Sequence, residues 1–508
     1  MILQELSGNS HILQTAFAAA GLFALLTFIS HLNHRAKIAN LPSFGGGDSR
    51  EKSRNAYLQS AKKLYIDGYK KFKGQVYRMM TSDDEVSIVV PPRFLPELRK
   101  LPDDILSFPK AVDKSMEVKY TKILTDEPLI SHSVKADLTP ALVRLNPIIC
   151  QEVDEAVKEE LPPCEDWTTV YIYMKLVHIV AKVSGRVFVG PELCRDQDYL
   201  DSGINYTMEL IGAQQAIKLM HPWLRPFLAS RLPQVKNLRR REKLAKQFLE
   251  PVVQARRNAE KDPDYEKPDD LLQWFLNRTN DYGIDSTAYI AQMQLGTIFA
   301  AIHTTTLTTT NILYTLAVKP EYIEPMRDEI RQAMADNDGI ITSRALQKME
   351  KLDSFMKETM RFYPAGFTSF NRRVMKGITL SDGTYIPAGA IIEVPSHAIY
   401  QDDENYPSAD EFDGFRFSKL RKGGGATEHA RNQFVTTNEQ NLGFGYGRHA
   451  CPGRFFAANE IKMILARLIL DYDIKNPDGV TERHPNTEVG RSTAPDASKP
   501  LLFRKVQI

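Results

Sequence analysis

The sequence predicts a mainly α-helical fold with small β-sheets. Three observations predict it. Long stretches carry apolar residues at helical spacing, strand signals are few and short, and no internal repeat or long linker interrupts the chain after residue 50. The balance of the composition, 43% hydrophobic and 25% charged, supplies enough apolar material for one large core.

The amino terminus differs from the rest. No charged residue falls between Glu5 and Arg35, and the run from about 12 to 32 is mostly apolar. Roughly 20 apolar residues span a bilayer core, and this run reaches that length by including Gln14, Thr15, Ser30 and His31. The expectation is a transmembrane helix over about 12–32 within an anchor of residues 1–34. The basic flank, Arg35 and Lys37, should stay on the cytosolic side. A cleaved signal peptide would instead carry basic residues before the apolar run, where only Glu5 stands. Pro42 and Gly45 to Gly47 read as a hinge over 35–50, leaving 51–508 as a single domain.

Within that domain, Val86 to Val90 reads as a strand ended by Pro91-Pro92. Asp269 to Asn277 and Ala291 to Val318 read as helices, as does Ser343 to Phe362, with Ser343 as its cap and Pro364 as its stop. Ile378 to Pro387 carries Asp382-Gly383 between apolar runs and reads as a hairpin, and Ile391 to Val394 as a further strand.

Charge and cysteine usage exclude several functions. Net charge is +2, from 65 basic and 63 acidic residues, which gives nucleic acid no electrostatic footprint. Cys150, Cys164, Cys194 and Cys451 form no C-x-x-C pair and are too few for a disulfide scaffold. They read as reduced thiols, free for chemistry.

One of them stands in an unusual setting. Phe444-Gly445-Tyr446-Gly447-Arg448-His449-Ala450-Cys451-Pro452-Gly453 precedes an amphipathic helix. The glycines permit tight turns and close approach of the backbone to a flat ligand. A cysteine just before a helix amino terminus meets free N–H groups and the positive end of the helix dipole, which favour thiolate over thiol. Such a thiolate can ligate haem iron and push electron density toward bound oxygen.

This segment resembles the haem-binding loop of the cytochrome P-450 superfamily, F-G-x-G-x-R-x-C-x-G. The resemblance makes Cys451 the metal ligand and assigns Phe444, Gly445, Gly447 and Gly453 to the loop. The family's arginine two before the cysteine is His449 here, beside Arg448. His449 is thereby expected to donate to a haem propionate, with a charge that depends on pH. Glu358 and Arg361 match the family's E-x-x-R helix pair, and Arg416, in Phe412-Asp413-Gly414-Phe415-Arg416-Phe417, matches its downstream partner. These roles are structural. Ala300-Ala301-Ile302-His303-Thr304-Thr305 matches the family's distal helix. There Thr304 is expected to help deliver protons, and His303 replaces the usual acid and could shuttle them. Pro364 to Phe370 is expected beside the haem, with Arg372 or Arg373 as a propionate partner.

The resemblance implies haem b as cofactor, one atom of molecular oxygen inserted into substrate, and NADPH-derived electrons from a membrane-bound cytochrome P-450 reductase. With the anchor, it implies a single-pass protein of the endoplasmic reticulum, in contact with membrane lipid, with a cytosolic catalytic domain. Lys419, Arg421, Lys422, Arg448 and Arg454 are candidates for docking an acidic reductase surface. The H-A-C-P-G-R-F-F-A run is most similar to the fungal branch, where terpenoid or other lipophilic secondary metabolites are the usual substrates. Ile302, Phe299, Phe367 and Phe370 are candidate apolar walls. A haem-thiolate isomerase, dehydratase or ring-forming oxidase is the alternative enzyme, and a non-catalytic haem-binding protein the alternative class.

Overall fold

The computed structural model describes residues 38–45, 49–82 and 86–507, together with residues 15, 18, 19, 21–23 and 25. Among these, helices dominate and the strands are short, as the periodicity predicts. The expected membrane anchor is corrected. Among the described residues no helix is long and apolar enough to cross a membrane. The single-pass placement in the endoplasmic reticulum and the lipid contact built on that anchor fall with it. The physical reason is in the run itself, which approaches a bilayer span only by counting polar residues at both ends. Most of residues 12–32 lie outside the described residues. Part of the segment read as a hinge is tied into the fold: Ile38 is buried, and Ser43–Phe44 pairs in parallel with Tyr77–Met80.

The centre of the molecule is the helix Thr287–Leu316. Ser286 caps it by accepting from the Tyr289 N–H, satisfying a donor that a helix start leaves free. It is largely buried on all sides, and its many buried threonines bond back to their own helix, as Thr297, Thr309, Thr310 and Thr315 do. Ile172–Phe188, Gln197–Leu219, Pro233–Ala259, Glu350–Phe362 and Arg454–Asp471 all pack against it. The helix expected over Ser343 to Phe362 is two: Ser343–Lys348, capped by Thr342, and Glu350–Phe362. Met349, at φ −78° and ψ 65°, leaves helical geometry between them. Its side chain is fully buried in the core.

Beside the helices lies a six-stranded mixed sheet. Its order is Ser43–Phe44, Tyr77–Met80, Val86–Val89, Ile391–Val394, Ser369–Val374, Leu106–Ser107. The hairpin around Asp382-Gly383 forms as expected, with Gly383 at φ +87°. In the strand Ser369–Val374, pairing with Ile391–Val394 shifts register between Ser369 and Arg372, and Phe370 sits there at φ +53°. This bulge re-aims the strand. Beyond it, period-two alternation buries Arg372 and leaves Arg373 partly exposed.

Candidate active site

The Cys451 loop is held by its own backbone. The Gly445 N–H donates to the Leu442 carbonyl at 2.9 Å, Ala450 N–H to Gly447 at 3.1 Å, and Cys451 N–H to Phe444 at 2.7 Å. Gly447, at φ +73°, is packed so closely that an added Cβ would lie 3.0 Å from the Arg99 Cβ. The following helix spans Arg454–Asp471 with Gly453 at its cap position, so Pro452 lies in the turn before it rather than in its first turn. Burial pushes the Cys451 thiol up, and the N–H groups of Gly453 and Arg454 and the Arg454 charge only partly offset this. The helix terminus alone therefore does not produce a thiolate. A metal cation at the sulfur would, because ligation deprotonates a thiol outright.

A cavity of about 540 Å³ separates this loop from the long helix. Cys451, Phe444 and Gly453 line one wall, and Ala300, Ala301 and Thr304 another. The other three cysteines are buried in the core; Cys451 alone among the four is not fully buried. A larger cleft of about 890 Å³, bounded by Glu127, Lys243, Lys246 and Asp285, is open to solvent and charged. It shares no residue with the cysteine cavity, and the chemistry-bearing side chains belong to the smaller one.

Thr304 is accessible at the cavity, and its Oγ1 donates to the Ala300 carbonyl at 2.6 Å. Small Ala300 and Ala301 keep this stretch of helix open. His303 turns elsewhere: it does not line the cavity, and its Nε2 lies 2.9 Å from the Ile204 carbonyl. Burial lowers its pKa, so it is a neutral imidazole donating to a backbone acceptor. His449 is likewise outside the cavity lining. Its Nε2 lies 2.6 Å from Asp103 Oδ1, its ring packs on Phe108, and burial lowers its pKa.

Arg372 is buried between aromatic rings, 4.1 Å from the Phe370 centroid and 5.1 Å from that of Phe108. It donates from Nη1 to the Asn371 carbonyl at 2.8 Å. Among the described residues no carboxylate lies within ion-pair distance of it, and burial pushes its pKa down to about 10.

The helix pair predicted from Glu358 and Arg361 forms and is joined by Arg416. Arg361 donates twice to Glu358, at 2.9 and 2.8 Å, and Arg416 Nε donates to Glu358 Oε1 at 3.2 Å. The remaining guanidinium donors meet the carbonyls of Tyr400, Ala409, Pro407, Ser408 and Glu411. The candidate basic surface is thinner than the sequence suggests. Arg421 is buried against Asp353, and Lys419 pairs with Asp413.

The apolar walls are not those expected. Phe299, Ile302, Phe367 and Phe370 pack into the core clusters, whereas Ile130, Val134, Phe188 and Phe456 line the cavity. No local signal marks Ile130 or Val134, since the segment reaches the cavity only by tertiary packing. Glu460 was also missed. It is wholly buried, accepts from Ser184 Oγ at 2.8 Å, and contacts the cavity-lining Thr305. Without a countercharge its pKa is pushed up by burial to about 8.

Comparison with known proteins gives the family of the chain. The cytochrome P-450 family model matches residues 65–499. The chain is 40% identical to the cytochrome P-450 monooxygenase ATR3 of Stachybotrys chlorohalonatus over 426 residues, 83% of this chain and 89% of the relative. It is 38% identical to TES1 of Alternaria alternata over 495 residues, 96% and 93% of the two chains. It is 34% identical to paxP of Penicillium paxilli over 494 residues, 96% and 94%. The cysteine loop, the distal helix and the buried Glu358 network thus stand in a chain that belongs to the cytochrome P-450 superfamily and is a monooxygenase.

Proposed function

We propose that this monooxygenase holds haem b between Cys451 and the helix Thr287–Leu316 and oxidises a lipophilic, terpenoid-type substrate. Membership of the family implies haem b, and the residues present fit it. Cys451 lines a cavity walled by small and apolar side chains. Arg372 lies outside that lining, but its buried cation has no ion-pair partner among the described residues, which leaves it for an anionic propionate at the cavity edge. The observation that carries the reading is that Cys451 and Thr304 line one cavity from opposing elements.

Cys451 is the ligand in this reading, and Phe444 and Arg372 complete the cofactor contacts. His449 acts through Asp103, steadying the loop rather than reaching the cofactor. When bound, the haem supplies activation of molecular oxygen, with the thiolate as electron donor to it. Thr304 offers an accessible hydroxyl at the cavity for proton transfer. It already donates to Ala300, so its lone pairs are free to accept from a water and its proton can be relayed. His303, turned toward Ile204, is left with a packing role. Electrons come from NADPH through a flavoprotein reductase, whose docking face would include Lys422 and Arg448, both exposed. The single catalytic domain takes in the strand at Ser43–Phe44.

The test is spectral and chemical. The reduced, CO-bound protein should show the red-shifted Soret band of a thiolate ligand, and Cys451→Ser should lose it while remaining folded. A normal band in that variant refutes the ligand. With a reductase and NADPH, a panel of sesquiterpenes and diterpenes under labelled oxygen should yield a product carrying one label. Label-free products throughout would count against oxygen insertion, and no turnover of any panel member would count against the substrate class.

A further inference from the structure

Several hydroxyls at the cavity are committed to backbone partners, while those of Thr359 and Thr368 are buried without one. Thr304 donates to Ala300, Thr308 to Thr304, and Ser369 to Leu442, while Tyr400 accepts from the Leu442 N–H. Asn311 differs. It lines the cavity from the long helix, and its Oδ1 accepts from Arg483 Nη2 at 2.6 Å. A guanidinium only donates, so this contact fixes which end of the amide is oxygen. The two hydrogens on Nδ2 find no acceptor among the described residues.

Arg483 is held for this contact. It donates to the Thr315 hydroxyl at 3.1 Å, the His484 carbonyl at 2.8 Å and Asn486 Oδ1 at 3.3 Å, and stacks 3.6 Å from the centroid of Tyr363, another cavity residue. Among the described residues no carboxylate lies within ion-pair distance of it. Burial lowers its pKa to about 10, so it stays cationic at neutral pH. A cation on the amide oxygen strengthens the N–H groups as donors.

We propose that Asn311 is a specificity-determining residue, donating a hydrogen bond from Nδ2 to an acceptor oxygen (ketone, hydroxyl or ether) on an otherwise lipophilic substrate, with Arg483 positioning the amide. The proposal rests on the lipophilic-substrate reading above. It also sets a distance. Thr304 and Asn311 are two turns apart on one helix, about 10 Å at 1.5 Å per residue. The substrate's anchoring oxygen therefore lies about 10 Å from the carbon oxidised near Thr304.

The holoenzyme, Asn311→Ala, Asn311→Asp and Arg483→Met are titrated with matched pairs of probes: sesquiterpene and steroid ketones, and the hydrocarbons lacking that oxygen. Binding is read from the shift of the haem Soret band. In the unmodified protein the ketone should bind about tenfold tighter than its hydrocarbon, the worth of one buried hydrogen bond. That ratio should fall to about one in Asn311→Ala. In Asn311→Asp it should fall below one, because the carboxylate pairs with Arg483 and offers the cavity no donor. Arg483→Met should lower it partway by freeing the amide to rotate. If Arg483→Met does not fold, the two Asn311 variants decide the matter. A ratio of one in the unmodified protein, a ratio unchanged in both Asn311 variants, or no binding of any ketone overturns the proposal. The CO-bound spectrum is recorded on each sample. Its failure in the unmodified protein would strike the haem-thiolate reading instead, so the two failures are distinguishable.

Discussion

Arg361 and Arg372 are buried to the same degree, 3% and 4% exposed, yet their surroundings are opposite. Arg361 meets a carboxylate face to face and fills its other donors with backbone carbonyls. Arg372 has aromatic faces and one carbonyl. Burying a charge is costly unless it is paired. The first arginine is complete within the polypeptide, and the second has no countercharge among the described residues. The contrast separates a charge that builds the scaffold from one that the described residues leave unpaired.

The sharpest way to break the comparison is to remove the scaffold carboxylate. Glu358→Ala leaves Arg361 and Arg416 buried without their countercharge, and should cost about 3–5 kcal/mol. Denaturant unfolding of the protein would show it as a large fall in midpoint with unchanged slope; an unchanged midpoint would refute the scaffold role.

Glu460 extends the contrast to an acid. Folded Glu460 titrates near pH 8, whereas its ordinary value is 4.5. Between these limits the folded state binds one proton more than the unfolded state, so stability falls as pH rises through that window and levels off above it. The loss is on the order of 3–5 kcal/mol. Glu460→Gln should remove most of this slope, since a neutral amide keeps the Ser184 contact without a titration. Thermal melts from pH 5 to 9 on both proteins test it, and parallel curves would exclude Glu460 as the source.

Arg372→Met should behave as the inverse of Glu358→Ala. The haem-free protein should be as stable as before or slightly more so, because an unpaired buried cation is replaced by an apolar chain of similar length. Haem should be lost about tenfold faster to an acceptor apoprotein, the worth of one charge-assisted hydrogen bond of about 1.5 kcal/mol. Equal destabilisation of the haem-free protein would place Arg372 with the scaffold.

The smallest effect on stability is expected at Thr304. Its hydroxyl bonds back to its own helix, a local contact that contributes little to folding. Thr304→Ala should leave the melting midpoint within about 0.5 kcal/mol of the parent. Product formed per NADPH consumed should fall several-fold if the hydroxyl relays protons. Retained coupling would assign the relay elsewhere.

Particular residues show how much could be read in advance. The pairing of Glu358 with Arg361 was legible, because three-residue spacing puts them on one helix face. The long helix was legible from its apolar length, and its distal stretch from small Ala300 and Ala301 before Thr304. Whether Arg372 or Arg373 is buried was not, because a bulge at Phe370 sets the strand's facing, and a one-residue slip exchanges every side chain between faces. His303 and His449 drew attention as substitutions in a motif. Their side chains go to Ile204 and Asp103, partners distant in sequence. The break at Met349 and the cavity wall at Ile130 and Val134 likewise depend on what packs against them.

The sequence by itself determined the cysteine loop and the helix that follows it. Cys451 stands in a loop whose glycines, turn bonds and following helix are local in sequence, and distant Arg99 and Asp103 only brace it. Only the tertiary structure decided which charges remain unpaired. Arg372 beside the loop, Glu460 behind Thr305 and Arg483 behind Asn311 acquire their character from burial by elements far along the chain. Burial is a property of the assembled fold, and no spacing within a segment encodes it.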